Sequence, residues 1–150
     1  MSLSPSEVFL QVVHGVSDRR LDRLHELYAE RTDVRHPMAP GGMPDLTTRE
    51  EVRRHFAGGA ARMPTVEFQP GNITIHQTTD PEVIVAEFEY QGTVTATGEP
   101  FAVPGVFVWR VRDGEIVEAR DYIDHVTFAH HRGQLPEVLR RLRGEHPAEA

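Results

Sequence analysis

The sequence predicts one α+β domain, in which three N-terminal helices pack on a strongly curved antiparallel sheet and enclose a mostly apolar pocket. Apolar residues recur at helical spacing through the first third of the chain, and from residue 66 to about residue 128 they alternate with a period of two. The apolar face of the first long strand also switches across Pro70-Gly71, which predicts a bulge that bends the sheet. Helices followed by a run of strands are typical of an α+β fold.

Composition limits the possible functions. The 150 residues fit one domain, predicted over 1–150 with a loose tail at 144–150. The net charge of −7 argues against binding to nucleic acid or to an anionic membrane. The absence of cysteine excludes disulfides, thiolate catalysis and cysteine-bound metal. Because the N-terminus does not resemble a signal peptide and no stretch reaches transmembrane length, we expect a soluble cytoplasmic protein.

Three helices are predicted in the first third of the chain. The first begins at the capping box Ser4-Pro5-Ser6-Glu7, and its apolar face comprises Val8, Phe9, Val12, Val13 and Val16. The second has an apolar face of Leu21, Leu24, Leu27 and Tyr28. The third begins at a second capping box, Thr48-Arg49-Glu50-Glu51, buries Val52 and Phe56, and ends at Gly58-Gly59.

Four long strands are predicted in the remainder, at residues 66–78, 82–96, 101–112 and 115–125. The last two are joined by Asp113-Gly114, a strong signal for a hairpin turn. A last short helix is predicted around residues 135–142. Between the second and third helices, the segment Pro37 to Pro44 is too rich in proline and glycine for regular structure. We expect this segment to act as a lid at the pocket mouth, with Gly41-Gly42 as its hinge.

Asp121 is the strongest candidate for a catalytic group. It lies in the alternating row Val117, Ala119, Asp121 and Ile123 of the last strand, where an unpaired charge would be costly. Such a carboxyl group is either partnered or has a raised pKa, and both conditions suit a catalytic acid or base. Two structural interpretations remain open: an ion pair with an arginine, or a solvated strand end.

His36 and Tyr90 are the other two candidates. Pro37 forces His36 into an extended conformation at the loop entrance, where an imidazole can transfer protons near neutral pH. Tyr90 projects from the apolar face of its strand and could donate a hydrogen bond into the pocket. The alternatives are an ordinary surface histidine and a structural tyrosine. His125, His130 and His131 lack carboxylate–histidine spacing, so no metal site is predicted.

Three stretches of the sequence carry a resemblance to a known family. They are Leu27-Tyr28-Ala29-Glu30 leading to His36-Pro37, then Gly105-Val106-Phe107, and finally Asp113-Gly114-Glu115-Ile116 followed by Arg120-Asp121-Tyr122-Ile123-Asp124. Together they resemble the SnoaL-like families of the nuclear-transport-factor-type (NTF2-like) fold. This cone of curved sheet and helices is shared by ketosteroid isomerase, scytalone dehydratase, limonene epoxide hydrolase and polyketide cyclases. The resemblance implies the fold strongly and the reaction only weakly, because the fold hosts many chemistries.

Carried over by position, the resemblance supports Asp121 best. The aspartate base of ketosteroid isomerase falls on His36, and its two oxyanion donors fall near Val12 and Phe107, which argues against steroid isomerisation by that mechanism. The second catalytic aspartate of limonene epoxide hydrolase falls on Asp121, but its other aspartate and its arginine fall near Tyr90 and Phe88. Its water-holding tyrosine and asparagine fall near Val34 and His36. Polyketide cyclases use an aspartate of this kind with a histidine that falls on Phe107.

These considerations predict a pocket for a small apolar, oxygenated or polycyclic organic molecule, with acid/base chemistry that needs neither metal nor cofactor. Isomerisation, cyclisation, dehydration and hydrolysis remain open. Asp121 would be the base or the group that orients it, His36 its proton-transfer partner and Tyr90 a hydrogen-bond donor. The remaining lining would comprise Val12, Val34, Phe88, Gly105, Phe107, Trp109, Ala119 and Ile123. A non-catalytic ligand-binding domain and an interaction module are the alternatives.

A homodimer is also expected, from the resemblance and from the apolar residues of the outer strand faces. Ile116, Val106 and Val108 are the residues predicted to form the interface between two sheets.

Overall fold

A computed structural model describes residues 1–60 and 65–145 of the chain. The elements in chain order are α1 (Pro5–Ser17), a 3₁₀ turn (Leu24–Leu27), β1 (Tyr28–Arg35), β2 (Leu46–Thr48), α2 (Arg49–Ala60), β3 (Val66–Gln77), β4 (Val83–Val94), β5 (Pro100–Arg112), β6 (Glu115–Ile123), α3 (His125–His131) and α4 (Leu135–Leu142). The strands form one open mixed sheet in the order β2-β1-β6-β5-β4-β3. An α+β fold is therefore confirmed.

Helix α1 lies on the sheet and forms the centre of the core. The predicted capping box is present, since Ser4 accepts from the Glu7 backbone N–H while the Glu7 side chain accepts from the Ser4 N–H. Phe9 is fully buried. Its ring makes edge-to-face contacts with Phe88, Phe107 and Trp109 at centroid distances of 5.4, 6.0 and 5.7 Å. This aromatic cluster joins α1 to β4 and β5.

The predicted second helix is wrong. Leu24–Leu27 forms a single 3₁₀ turn, and Tyr28 begins strand β1. Leucines three residues apart fit a 3₁₀ turn as well as an α-helix, and β1 then pairs with both β2 and β6. The pairing with β6 is parallel, so the prediction of a wholly antiparallel sheet is also wrong. Among the described residues, two α-helices rather than the predicted three precede the long strands.

The four predicted strands and their turns are confirmed as β3 to β6. The register between β3 and β4 shifts between Gly71 and Thr74, and Asn72 has a φ of +50°. This is the predicted bulge, placed one residue beyond the Pro70-Gly71 pair. Asp113 and Gly114 have φ values of +51° and +77°, as a type I′ hairpin turn requires.

A second irregularity corrects the predicted orientation at the start of β6. The register with β5 shifts between Arg110 and Val111. The side chains before Ala119 therefore point to the opposite faces of the sheet from those that simple alternation predicts. Ile116 is therefore fully buried in the core. It cannot belong to a dimer interface, so this part of the prediction is wrong. Beyond the irregularity, Ala119 and Asp121 are both buried, which is the orientation that the alternation predicted.

The C-terminal part of the described chain contains two helices where one was predicted. The last strand ends at Ile123 rather than residue 125, because Asp124 caps α3 by accepting from the Thr127 N–H. Helix α3 buries Phe128 against Phe68 and Phe101. Helix α4 has the predicted bounds. Of the predicted tail 144–150, residues 146–150 lie outside the described part. Across the described residues, no helix has the length and apolarity needed to cross a bilayer.

Candidate active site

Asp121 projects from β6 into the aromatic core. It is paired across the sheet with Phe107 on β5, and only 9% of the residue is exposed. The indole Nε1–H of Trp109 donates a hydrogen bond to its Oδ1 at 2.7 Å. Its Oδ2 faces Nε2 of the His36 ring. The structure thus supports neither an arginine partner nor a solvated strand end.

His36 lies directly after β1 and meets Asp121 because β1 runs parallel to β6, beside it. Its side chain is 10% exposed, and its Nε2 lies 3.7 Å from Asp121 Oδ2, which is beyond hydrogen-bond distance. Two more imidazoles lie close to it. The ring centroids of His55 and His125 are 5.3 and 6.2 Å from that of His36.

Burial shifts the pKa values of this pair in opposite directions. Burial raises the pKa of Asp121 from its ordinary value of 3.8 to about 7, although the hydrogen bond from Trp109 partly opposes the rise. Burial, followed by the neighbouring His55 and His125, lowers the pKa of His36 from 6.5 to about 4. At neutral pH His36 is therefore a neutral imidazole, and the 3.7 Å approach is not an ion pair. Asp121 is then divided between its acid and its carboxylate forms.

Two buried tyrosines complete the polar part of the site. Tyr90 on β4 is 4% exposed and Tyr28 on β1 is 3% exposed. Burial and the nearby Asp121 raise the pKa of both hydroxyls, so both remain protonated and able to donate a hydrogen bond. Tyr28 was not identified from the sequence because its pattern was assigned to a helix.

These groups line one small enclosed cavity of about 70 Å³. Seven of its lining residues were predicted from the sequence: Val12, Val34, His36, Tyr90, Phe107, Trp109 and Asp121. Six were not: Val16, Tyr28, Leu46, Val52, His55 and Phe56. Most of the missed residues lie on β1, β2 and α2, whose arrangement depends on a parallel strand pairing that periodicity does not reveal.

The other predicted lining residues lie elsewhere. Phe88, Gly105 and Ile123 border a separate open groove of about 560 Å³, which also includes Met38, Val106, Tyr122 and His125. Ala119 is fully buried and borders neither space. The ring of Phe88 occupies the space where a side chain at position 105 would lie, since a Cβ added to Gly105 would lie 3.3 Å from that ring.

Within residues 1–60 and 65–145, no group of three or more His, Asp or Glu side chains is arranged to hold a metal ion. The chemistry that the described arrangement can perform is proton transfer. Its parts are one carboxyl group with a pKa near neutrality, one neutral imidazole and two hydroxyl donors in a largely apolar cavity.

Comparison with known proteins identifies the family. The SnoaL-like domain matches residues 9–119, and the chain belongs to this family. The matched span ends two residues before Asp121. The Bacillus subtilis protein YesE is 30% identical over 105 residues, and this alignment covers 65% of each protein. The chain thus matches slightly less than two thirds of that relative's length.

Solved structures show the same fold. A crystal structure of a candidate isomerase from Bacillus subtilis superposes with a TM-score of 0.73 at 21% identity, covering 86% of this chain and 92% of the other. A candidate polyketide cyclase from Pseudomonas putida superposes with a TM-score of 0.65 at 13% identity, covering 87% and 98%. At these identities the likeness supports the fold and not the reaction.

Proposed function

We propose that this SnoaL-like protein is an acid/base enzyme of the isomerase or cyclase type, acting on a small apolar molecule that carries a carbonyl or hydroxyl group. The observation that carries the proposal is a carboxyl group buried among aromatic side chains, with the neutral ring of His36 beside it and no arginine paired to it among the described residues. A carboxyl with a pKa near 7 is suited to both accept and return a proton at physiological pH.

Each polar group has a distinct role in the proposed reaction. Trp109 holds one carboxylate oxygen of Asp121, which leaves Oδ2 to take a proton from the substrate. A hydroxyl from Tyr90 or Tyr28 donates to the substrate oxygen on which negative charge develops. The proton held by Asp121 then returns to a different atom of the substrate, or leaves through His36. The names borne by structural neighbours, isomerase and polyketide cyclase, are consistent with this chemistry.

The cavity must enlarge when a substrate binds. Its volume of about 70 Å³ accommodates a few water molecules, whereas sites for small ligands usually have about 300–1,000 Å³. We propose that the segment Pro37 to Pro44 moves as a lid. Gly41 has a φ of +74° and lies against Arg141 of α4, so opening would break a contact between this segment and the C-terminal helix.

The proposal is tested with Asp121→Asn, which keeps the shape of the side chain but removes its ability to accept a proton. Wild type and variant are screened against enones, epoxides and hydroxylated polycyclic compounds. Turnover should fall by about 10²–10⁴ in the variant, while ligand affinity changes little. Asp33→Asn is the matched control, because Asp33 is paired with Arg35 at the protein surface and its loss should leave turnover unchanged.

A non-catalytic ligand-binding domain is the second candidate, favoured by the mainly apolar wall of the cavity. It predicts saturable binding that is equal in wild type and Asp121→Asn, with no turnover of any compound in the screen. A structural role for Asp121 predicts instead that the variant loses stability without any change specific to the reaction.

A further inference from the structure

Three imidazole rings converge beside Asp121 from three separate elements. His36 follows β1, His55 lies on α2 and His125 is the first residue of α3. The rings of His55 and His125 flank that of His36 at centroid distances of 5.3 and 6.2 Å. These three histidines lie far apart in the sequence, so only the fold reveals this cluster.

The cluster connects two spaces that differ in their access to solvent. Asp121 and His36 line the small enclosed cavity, and their side chains are 12% and 10% exposed. His125 is half-buried and borders the open groove. The neighbouring rings of His36 and His125 therefore link the carboxyl group of Asp121 in the cavity to the open groove at the surface.

Two nitrogen atoms of these rings have unmet hydrogen-bonding capacity. Nδ1 of His36 and Nε2 of His125 are both buried and have no hydrogen-bond partner within the described residues. A buried polar atom without a partner is costly, and such atoms in native proteins call for an explanation. Because His36 turns its Nε2 toward Asp121, its Nδ1 is the atom through which a proton would leave the ring on the other side.

We propose that His125 relays protons between the Asp121–His36 pair and solvent. This inference rests on the proposed function, since it gives the buried base a route for exchange. Asp121 transfers its proton to Nε2 of His36, and Nδ1 of His36 passes its own proton to Nε2 of His125 when the two neighbouring rings move into hydrogen-bond distance. His125 then releases a proton from Nδ1 to water. The return transfer, with a solvent proton entering through His125, restores both tautomers.

The groups around the relay keep both rings in their neutral forms. Burial and the nearby Arg132 lower the pKa of His125, and Asp124 only partly opposes the decrease. His55 from α2 adds to the lowering for both His36 and His125. Tyr28 and Tyr90 face Asp121 from β1 and β4, and both hydroxyls stay protonated. A neutral imidazole can accept a proton at one nitrogen and release one from the other.

Trp109 provides a test that needs no substrate. It is the single tryptophan of the chain, and its indole N–H donates to Asp121. Its ¹⁵N–¹H signal should therefore shift as Asp121 titrates near pH 7. Relaxation dispersion of that signal at the midpoint gives the rate of proton exchange, provided that the rate lies in the microsecond-to-millisecond range.

In His125→Gln this exchange rate should fall by about tenfold or more, because glutamine forms hydrogen bonds but cannot carry a proton. The midpoint should stay unchanged, and imidazole added to the buffer should restore the rate. His130→Gln is the matched control, since His130 is exposed on the same helix and its replacement should leave the rate at the wild-type value.

Three results would overturn the relay. A wild-type rate in His125→Gln shows that protons take another route. A slow rate that imidazole does not restore assigns His125 a structural role. An indole signal in wild type that does not shift between about pH 6 and about pH 8 would show that Asp121 does not titrate near neutral pH. This result would contradict the proposed function as well. The first two results leave the proposed function intact.

Discussion

The opposite pKa shifts of Asp121 and His36 make a prediction about stability at the scale of single residues. Folding raises the pKa of Asp121 from 3.8 to about 7, so between these values the folded state holds a proton that the unfolded state has lost. Its contribution to stability is present at low pH and decreases as pH rises through this range, by about 1.4 kcal/mol per pH unit. His36, with a pKa lowered from 6.5 to about 4, contributes the opposite slope.

The two slopes should cancel in the wild-type protein between about pH 4 and about pH 6.5. Asp121→Asn removes the loss of stability with rising pH that Asp121 causes. The free energy of unfolding of this variant should therefore rise relative to that of wild type by about 1.4 kcal/mol per pH unit across this range. His36→Gln should lose stability relative to wild type at a similar rate. Urea unfolding at several pH values measures both differences. Parallel pH profiles for the two variants and wild type would mean that neither group has a perturbed pKa.

The alternation of side chains along the strands explains which site residues could be predicted from the sequence. The inward orientation of Asp121, Phe107, Trp109 and Tyr90 followed from strand parity, because side chains alternate between the two faces. His36 was identified from its place before a proline. Tyr28 and His55 could not be found in this way, because they reach the cavity only after β1 is placed parallel to β6. Parallel pairing leaves no local signal comparable to a hairpin turn.

At the scale of elements, the sequence predicted the long strands well and the segments around β1 poorly. The strands from β3 to β6 have continuous alternation and strong turn signals, whereas Leu24 to Arg35 combines leucines three residues apart with a short polar strand. The register irregularity in β6 also left no clear mark in the pattern, although it moved Ile116 into the core. Local propensity decides an element only where tertiary pairing does not override it.

The contact between the lid segment and α4 predicts different effects for two adjacent glycines. Gly41 and Gly42 both have positive φ values, of +74° and +81°, so alanine at either position should cost about 1 kcal/mol in backbone strain. An added methyl group at Gly41 would also lie 2.9 Å from the Cβ of Arg141, whereas Gly42 has open space around it. Gly41→Ala should therefore change ligand affinity more than Gly42→Ala does.

Calorimetric binding of one ligand from the screen to both variants, with thermal unfolding alongside, measures this difference. Equal affinities for the two variants would mean that the contact with α4 does not control access to the cavity. A much larger loss of thermal stability in Gly41→Ala, without a change in affinity, would make the segment structural. Deletion of Gly41-Gly42 should alter affinity in the same direction as Gly41→Ala.

At the scale of the whole molecule, the outer face of the sheet remains a candidate for self-association. Val106 and Val108 are half-buried on this face, and they pair across the sheet with Tyr122, which is 37% exposed, and with Val85. Charges of both signs, Glu87 and Arg120, lie beside these residues. An apolar patch with a mixed-charge rim is typical of an interface between identical subunits.

We therefore expect a homodimer, whose mass in light scattering is twice the 16.9 kDa of one chain. Val108→Glu should shift the protein to the monomer mass at micromolar concentration, because dimer formation would then bury an unpaired carboxylate on each subunit. The control is Leu142→Glu, which adds the same charge at an exposed apolar position of α4 and should leave the dimer intact. Since Val108 lies outside the core around Asp121, the indole signal of Trp109 should keep its titration midpoint in the monomer. A wild-type mass near 16.9 kDa would contradict the dimer, and the outer face would then be exposed to solvent.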